Sequence, residues 1–315
     1  MIPVVDIAPL YASDDRGWQT VSREIDKACR EAGFFYVSGH QIPQARIDEV
    51  FALGKAFFAL PEADKRLIDI ARSPNHRGYG PLAAEALEDG FPGDLKETFD
   101  MGRNLPPDDP EVLMGLPLHG PNRYPAIVGW QEVMEAHYER MRGLGLLLLK
   151  AMATALDCPA DFFSRHMQRT VSVLRLIHYP SAEARQSPEQ QGCGAHSDYG
   201  CITILAQDDV GGLQVRAKNG SWINAAPIPG TFVINIGDLM ARWTNDRYVS
   251  TLHRVVNPAG CERYSMPFFV EPDFDTTITT IPSCITAATP RKYAPVTSGD
   301  WIMSRFAATY AYRNG

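Results

Sequence analysis

The chain has 315 residues, 45% of them hydrophobic and 21% charged, which is enough apolar material for a well-buried core and the wrong balance for a disordered chain. A net charge of −7 without any basic run argues against nucleic acid as a partner. The opening MIPVVDIAPL has neither the basic nor the long apolar region of a secretory signal, and the strongest apolar run, Gly143 to Leu149, stops at Lys150, far short of the roughly 20 residues a membrane span needs.

Val4 to Ile7 reads as a short strand, followed by a helical pattern from Arg16 to Ala32 that Gly33 ends. Phe34 to Val37 is a second strand, and Ile42–Pro43 opens a helix reaching Leu60–Pro61. Ser73 to Gly93, rich in Gly and Pro, reads as a loop and a candidate wall or lid of a pocket. The longest helix is expected over Ala126 to Leu156, where Trp130, Met134, His137, Met141, Leu144, Leu148 and Met152 recur at three- and four-residue steps. That stripe faces a core.

The pattern changes near Thr170. VSVLRLIHY, CITILAQ, GLQVRA, TFVINIG, LHRVV and RYSMPFFV are short runs rich in β-branched and aromatic residues, separated by turn formers. They predict an antiparallel sandwich or barrel wrapped by N- and C-terminal helices, the last over Asp300 to Tyr312. The expected layout is one unit: a helical region with strand additions over 1–165, a catalytic β-core over 166–275 and an extension over 276–315. Six cysteines (Cys29, Cys158, Cys193, Cys201, Cys261 and Cys284) form no CxxC pair and read as buried free thiols suited to a reducing cytoplasm. Cys193 and Cys201, which flank the pair discussed next, read as packing residues.

His196–Ser197–Asp198 sits at the edge of strand-like sequence, where a period of two puts both side chains on one face. His137–Tyr138–Glu139 has the same form but lies in the long helix, where residues two apart diverge by about 200°. The helical pair cannot easily grip one ion. Of the other histidines, His40, His76, His119 and His166 read as surface or structural, and His178 faces away from Tyr179; His253, in TLHRVV, is the third candidate ligand. Two imidazoles and one carboxylate suit non-heme Fe(II) with open positions, and zinc would accept them too.

Asn257–Pro258–Ala259–Gly260 reads as a turn that folds the chain back and sets Ser265 opposite His253, with Arg263 on the same face. An arginine inside a barrel needs an anion, and a guanidinium fork beside a hydroxyl suits a carboxylate; the alternative is an internal salt bridge. Arg175 and Tyr179 share a face of the strand before the HxD pair, so Tyr179 can offer its hydroxyl to the same anion. Arg175 is either a second cavity charge, hinting at an acidic or zwitterionic substrate, or one half of a buried ion pair. Tyr199, Phe99, Phe269 and the loop around Glu85 are candidate pocket walls.

Taken together, HSD at 196–198, His253 fifty-five residues after Asp198, and RYS at 263–265 resemble the iron(II)/2-oxoglutarate-dependent dioxygenases, in particular the isopenicillin N synthase-like branch. IPVVDIAPL, FFYVSGH, WTNDRYVSTLHRVVNP and RYSMPFFVEP extend the resemblance over nearly the whole chain. It implies a double-stranded β-helix, or jelly roll. It implies iron held by His196, Asp198 and His253, and 2-oxoglutarate whose far carboxylate meets Arg263 and Ser265, with Tyr179 matching the family's tyrosine. Many plant members carry an Asn-Tyr-Tyr-Pro run there; Ile177–His178–Tyr179–Pro180 lacks the asparagine. The implied reaction consumes O₂ and 2-oxoglutarate, releases succinate and CO₂, and oxidises a C–H bond of a small molecule. GAHSDYG and AQDDVGGL also resemble runs of the bacterial ethylene-forming enzyme, although Ala84, Glu85, Ala86 and Leu87 differ from its arginine loop. Ethylene formation, a 2-oxoglutarate-independent oxidation like that of isopenicillin N synthase, and a non-catalytic metal-binding jelly roll are the alternatives.

Overall fold

A computed structural model describes residues 2–12, 14–88 and 90–309. Eight strands form the larger sheet: β1 (Val4–Asp6), β2 (Phe34–Ser38), β3 (Gly78–Gly80), β4 (Glu97–Gly102), β5 (Val173–Tyr179), β7 (Ile202–Gln207), β10 (Phe232–Ile236) and β12 (Arg263–Val270). Their spatial order is β1-β2-β10-β7-β12-β5-β4-β3. The smaller sheet comprises β6 (Cys193–His196), β8 (Leu213–Arg216), β9 (Trp222–Asn224) and β11 (His253–Val255), in the order β6-β11-β8-β9. Strands from the first 102 residues therefore complete both edges of the larger sheet.

Alternation along these strands builds two apolar layers. Phe35, Val37, Leu174, Leu176, Ile204 and Phe268 belong to the core under the helices. Their neighbours one residue along, among them Phe34, Tyr36, Ile177, Tyr179 and Val233, pack with Leu213, Val215 and Val255 of the smaller sheet. The space between the sheets is where the polar inward-facing residues collect.

The helices cover the other face. The first, Asp15–Glu31, is capped by Asp14, whose carboxylate accepts from the Arg16 and Gly17 amides. It ends before Gly33, at φ +65°, where a Cβ would strike the Val249 carbonyl. The second helix spans Gln44–Phe58. All seven residues of the expected stripe are buried in the long helix Trp130–Ala155, which packs on β7 and β12. The final helix is Ser298–Thr309; Tyr310, Ala311 and Tyr312, where the sequence pattern extends it, lie outside the described residues.

Several expectations need correction. His253 and Ser265 are not hairpin neighbours: β11 pairs with β6 and β8, while β12 pairs with β5 and β7. The turn between them carries the chain from one sheet to the other. The loop expected over Ser73 to Gly93 contains β3, paired with β4. Among the cysteines, Cys158 is half-buried and Cys261 is exposed, so not all are core thiols.

Candidate active site

β6 and β11 are paired so that His196 lies directly opposite His253, with ring centroids 4.2 Å apart. Asp198 follows β6, and its Oδ1 is 3.7 Å from Nε2 of each histidine. One ligand atom from each of the three residues lies within 4.8 Å of the other two. The outer atoms are committed elsewhere. His196 Nδ1 donates to the Gly194 carbonyl at 2.8 Å and His253 Nδ1 to the Thr251 carbonyl at 3.2 Å. A carbonyl only accepts, so both Nδ1 atoms carry hydrogen and both Nε2 lone pairs face the gap. Asp198 Oδ2 receives hydrogen bonds from Asn235 Nδ2 at 2.7 Å and from the Thr203 hydroxyl, leaving Oδ1 for the gap. Burial, then the neighbouring His196, hold His253 down at about 4, so its imidazole is neutral at physiological pH. Burial pushes Asp198 up, but His253, His196, Asn235 and Thr203 more than offset this and keep it ionised. Two imidazoles and one carboxylate on one side of a gap fit ferrous iron and leave coordination positions free.

On the facing sheet, Arg263 pairs in register with Tyr179. Its guanidinium, fully buried, lies 4.8 Å from the Tyr179 ring centroid. Nη1 donates to Ser265 Oγ at 3.2 Å and Nη2 to Gln207 Oε1 at 3.4 Å. Among the described residues no carboxylate forms an ion pair with it. Asp208 acts on it only from beyond contact distance, and a buried cation with no carboxylate in direct contact is a seat for an anion. Burial raises the Tyr179 phenol above its ordinary value, so it stays a hydrogen-bond donor. One cavity, about 550 Å³ with its open mouth, is lined by His196, Asp198, His253, Tyr179, Arg263 and Ser265. The three ligand candidates and the three anion candidates thus meet across the gap between sheets.

A second chamber, about 640 Å³ with its open mouth, adjoins this cavity and shares Leu87, Arg175, His196, Asp198 and Phe269 with it. Tyr199 and Glu85 also line it. Phe99 does not: Asp100 is the β4 residue that faces the chamber, so Phe99 points to the opposite layer and packs on Phe57 and Trp130. Arg175 borders the chamber but is not a spare charge. It makes two 2.7 Å bonds to Asp100 and a 3.2 Å contact to Glu85. Glu85 also meets Lys96 at 2.5 Å, and Lys96 reaches Asp94 at 2.9 Å. This network removes the reason for expecting an acidic substrate. His40, His76 and His119 are buried rather than on the surface; His76 lines the chamber, 3.8 Å from Asp100. Sequence reasoning misses His76, Asp100 and Glu271. Only Glu271 has a visible signal, as the next inward position after Arg263, Ser265 and Phe269.

Comparison with known proteins places this geometry. Residues 2–127 match the non-haem dioxygenase in morphine synthesis N-terminal model, and residues 170–272 match the 2OG-Fe(II) oxygenase superfamily model. The chain is 36% identical to the 2-oxoglutarate-Fe(II) type oxidoreductase hxnY of Emericella nidulans, over 98% of this chain and 90% of that protein. It is 35% identical to homoarginine-6-hydroxylase 2-ODD-233 of Oryza sativa subsp. japonica, over 98% and 97%. The crystal structure of a full-length Neurospora crassa protein in complex with alpha-KG and thymine superposes with a TM-score of 0.86 at 32% identity, covering 98% of this chain and 96% of that one.

The chain belongs to the 2OG-Fe(II) oxygenase superfamily, with a double-stranded β-helix fold. It is an Fe(II)- and 2-oxoglutarate-dependent oxygenase that couples oxidative decarboxylation of 2-oxoglutarate to C–H oxidation of a small molecule.

Proposed function

We propose that His196, Asp198 and His253 hold the ferrous ion, that Arg263, Ser265 and Tyr179 hold the distal carboxylate of 2-oxoglutarate, and that the outer chamber takes the molecule to be oxidised. The observation that carries this reading is the fully buried Arg263 without a carboxylate partner, in the same cavity as the three ligand candidates. The bound iron supplies oxygen activation. The protein's own groups do the rest. The carbonyls of Gly194 and Thr251 set both histidine tautomers. Arg263 and Tyr179 neutralise and orient the co-substrate, while the apolar residues between the sheets, such as Leu205 and Val255, exclude water from it. Phe269 and Tyr199 wall the chamber so that a bound C–H is presented beside the ligand triad.

The anion seat beside the ligand triad argues against a non-catalytic role; it would serve a substrate carboxylate as well as 2-oxoglutarate, and the similarity to 2-oxoglutarate-dependent relatives is what favours 2-oxoglutarate chemistry over the 2-oxoglutarate-independent oxidation of isopenicillin N synthase. The finer placement in the isopenicillin N synthase-like branch rests on the motif resemblances, and ethylene formation stays the second reading on GAHSDYG and AQDDVGGL. The layout 1–165, 166–275 and 276–315 is supported by the junction of the two family matches between residues 127 and 170. Among the described residues no helix is long and apolar enough to cross a membrane; the cytoplasmic setting rests on six cysteines without a disulfide-framework spacing, and the reading without a nucleic-acid partner on the net charge of −7.

Anaerobic titration with Fe(II) and 2-oxoglutarate tests the reading. A weak visible charge-transfer band should appear only when both are present and should be lost in His253→Ala. Succinate formed per O₂ consumed, with ethylene measured in the headspace, separates hydroxylase from ethylene-forming turnover. Absence of the band at saturating additions refutes the assignment.

A further inference from the structure

One chamber residue has no task in the chemistry described so far. Glu271 follows β12, two positions beyond Phe269, and lines the outer chamber. It is 6% exposed, and its Oε2 is buried without a hydrogen-bond partner among the described residues. Every other chamber carboxylate has one: Asp198 holds Asn235 and Thr203, while Asp100 and Glu85 share Arg175.

The fold holds Glu271 in place. Its amide donates to Ser172 Oγ at 2.9 Å, and its carbonyl accepts from the hydroxyls of Thr170 and Ser172. The carboxyl group itself lies flat on Gly200. A Cβ at that position would collide with both carboxyl oxygens, and the three nearest atoms it would meet all belong to this carboxyl. Gly200 has no positive φ to explain it. A glycine whose closest steric neighbour is this carboxyl, and a backbone pinned at both polar atoms, mark a preorganised group rather than a stray one. A buried acceptor left without a donor is costly, and a ligand that supplies the donor removes that cost.

We propose that Glu271 is the substrate-recognition group of the outer chamber, and that the molecule it recognises is a small nitrogenous compound donating an N–H to this carboxyl. The inference rests on the functional reading above, which makes this chamber the substrate site. The chamber's charged lining explains the choice of donor. Glu85, Asp100 and Glu271 present carboxyl oxygens, and the guanidinium of Arg175 is already engaged by the first two. An N–H donor, neutral in a lactam or cationic in a guanidinium, meets the surplus of acceptors.

The test uses the full chain loaded with Fe(II) and 2-oxoglutarate under anaerobic conditions. The probes are thymine, 2-pyridone and guanidinium, each beside its N-methylated counterpart. Binding is read as a perturbation of the charge-transfer band and by ligand-observed NMR. At least one N–H probe should bind about tenfold or more tightly than its methylated partner, and Glu271→Leu should shrink that ratio to within about twofold. Gly200→Ala, which displaces the carboxyl without removing it, should shrink it too and serves if Glu271→Leu does not fold. The proposal is overturned if no pair shows the preference, or if the preference survives both substitutions. A charge-transfer band that forms in the unaltered protein while no probe discriminates sinks only this proposal; a missing band sinks the functional reading beneath it.

Discussion

Asn235 and Thr203 sit opposite each other on β10 and β7 and both donate to the same oxygen of Asp198. That pinch turns Oδ1 toward the two histidines. Removing the Asn235 amide deletes a 2.7 Å bond from a donor that is 3% exposed to an ionised, buried acceptor. Hydrogen bonds to charged groups contribute about 1.5–3 kcal/mol. The carboxylate would also gain freedom to rotate away from the triad. Asn235→Ala should therefore weaken metal binding by roughly 10- to 100-fold, the range seen when outer-shell partners of metal ligands are lost. Thr203→Val should weaken it as well, and the double variant should lose less than the sum because both bonds end on one atom. Anaerobic calorimetric titration with Fe(II) or Co(II), beside a thermal melt of the metal-free protein, measures this directly. A dissociation constant within about twofold of the parent's in a folded Asn235→Ala protein would refute the pinch.

Arg263→Met should raise the 2-oxoglutarate concentration needed for half-maximal turnover by at least about 30-fold, as expected when one partner of a desolvated charge pair worth about 2 kcal/mol or more is removed; steady-state succinate formation checks it. Phe99→Ala should lower stability by about 3–5 kcal/mol because its ring fills the layer under Phe57 and Trp130, whereas Phe269→Ala should act mainly on substrate KM; denaturant melts and kinetics separate the two. His137 is buried in the long helix with neither ring nitrogen bonded among the described residues, and burial, then Arg140, hold it down at about 4. The unfolded chain, with a histidine near 6.5, binds the proton more readily. His137's share of stability is thus complete above about pH 6.5 and is lost as pH falls toward 4, by up to about 3 kcal/mol. His137→Leu should flatten that limb of a Tm-against-pH profile of the metal-free protein; an unchanged limb refutes the assignment.

Much of the site is legible because a strand's period of two is visible in sequence. Parity alone puts His196 with Asp198, Arg263 with Ser265, and Arg175 with Tyr179. What parity does not disclose is which strand lies beside which. The turn after Val256 looks like a hairpin that would set Ser265 opposite His253, yet it crosses between sheets. Arg175 has no partner visible in the sequence because Asp100 and Glu85 lie 75 and 90 residues away. β4 is buried at every position, so nothing in ETFDMG distinguishes the face of Phe99 from that of Asp100. The glycine-rich segment hides β3 and His76, whose burial depends on neighbours drawn from several parts of the chain.

The two halves of the proposed co-substrate seat belong to different sheets: the histidines to the smaller one, Arg263 and Tyr179 to the larger. Nothing local connects them, so their separation is a property of how the two sheets stack. A dicarboxylic keto acid lying between them works as a caliper. One carbon fewer or one more would leave either the iron end or the carboxylate end out of register, and selectivity for chain length would follow from the thickness of the sandwich rather than from any residue that touches the middle of the molecule.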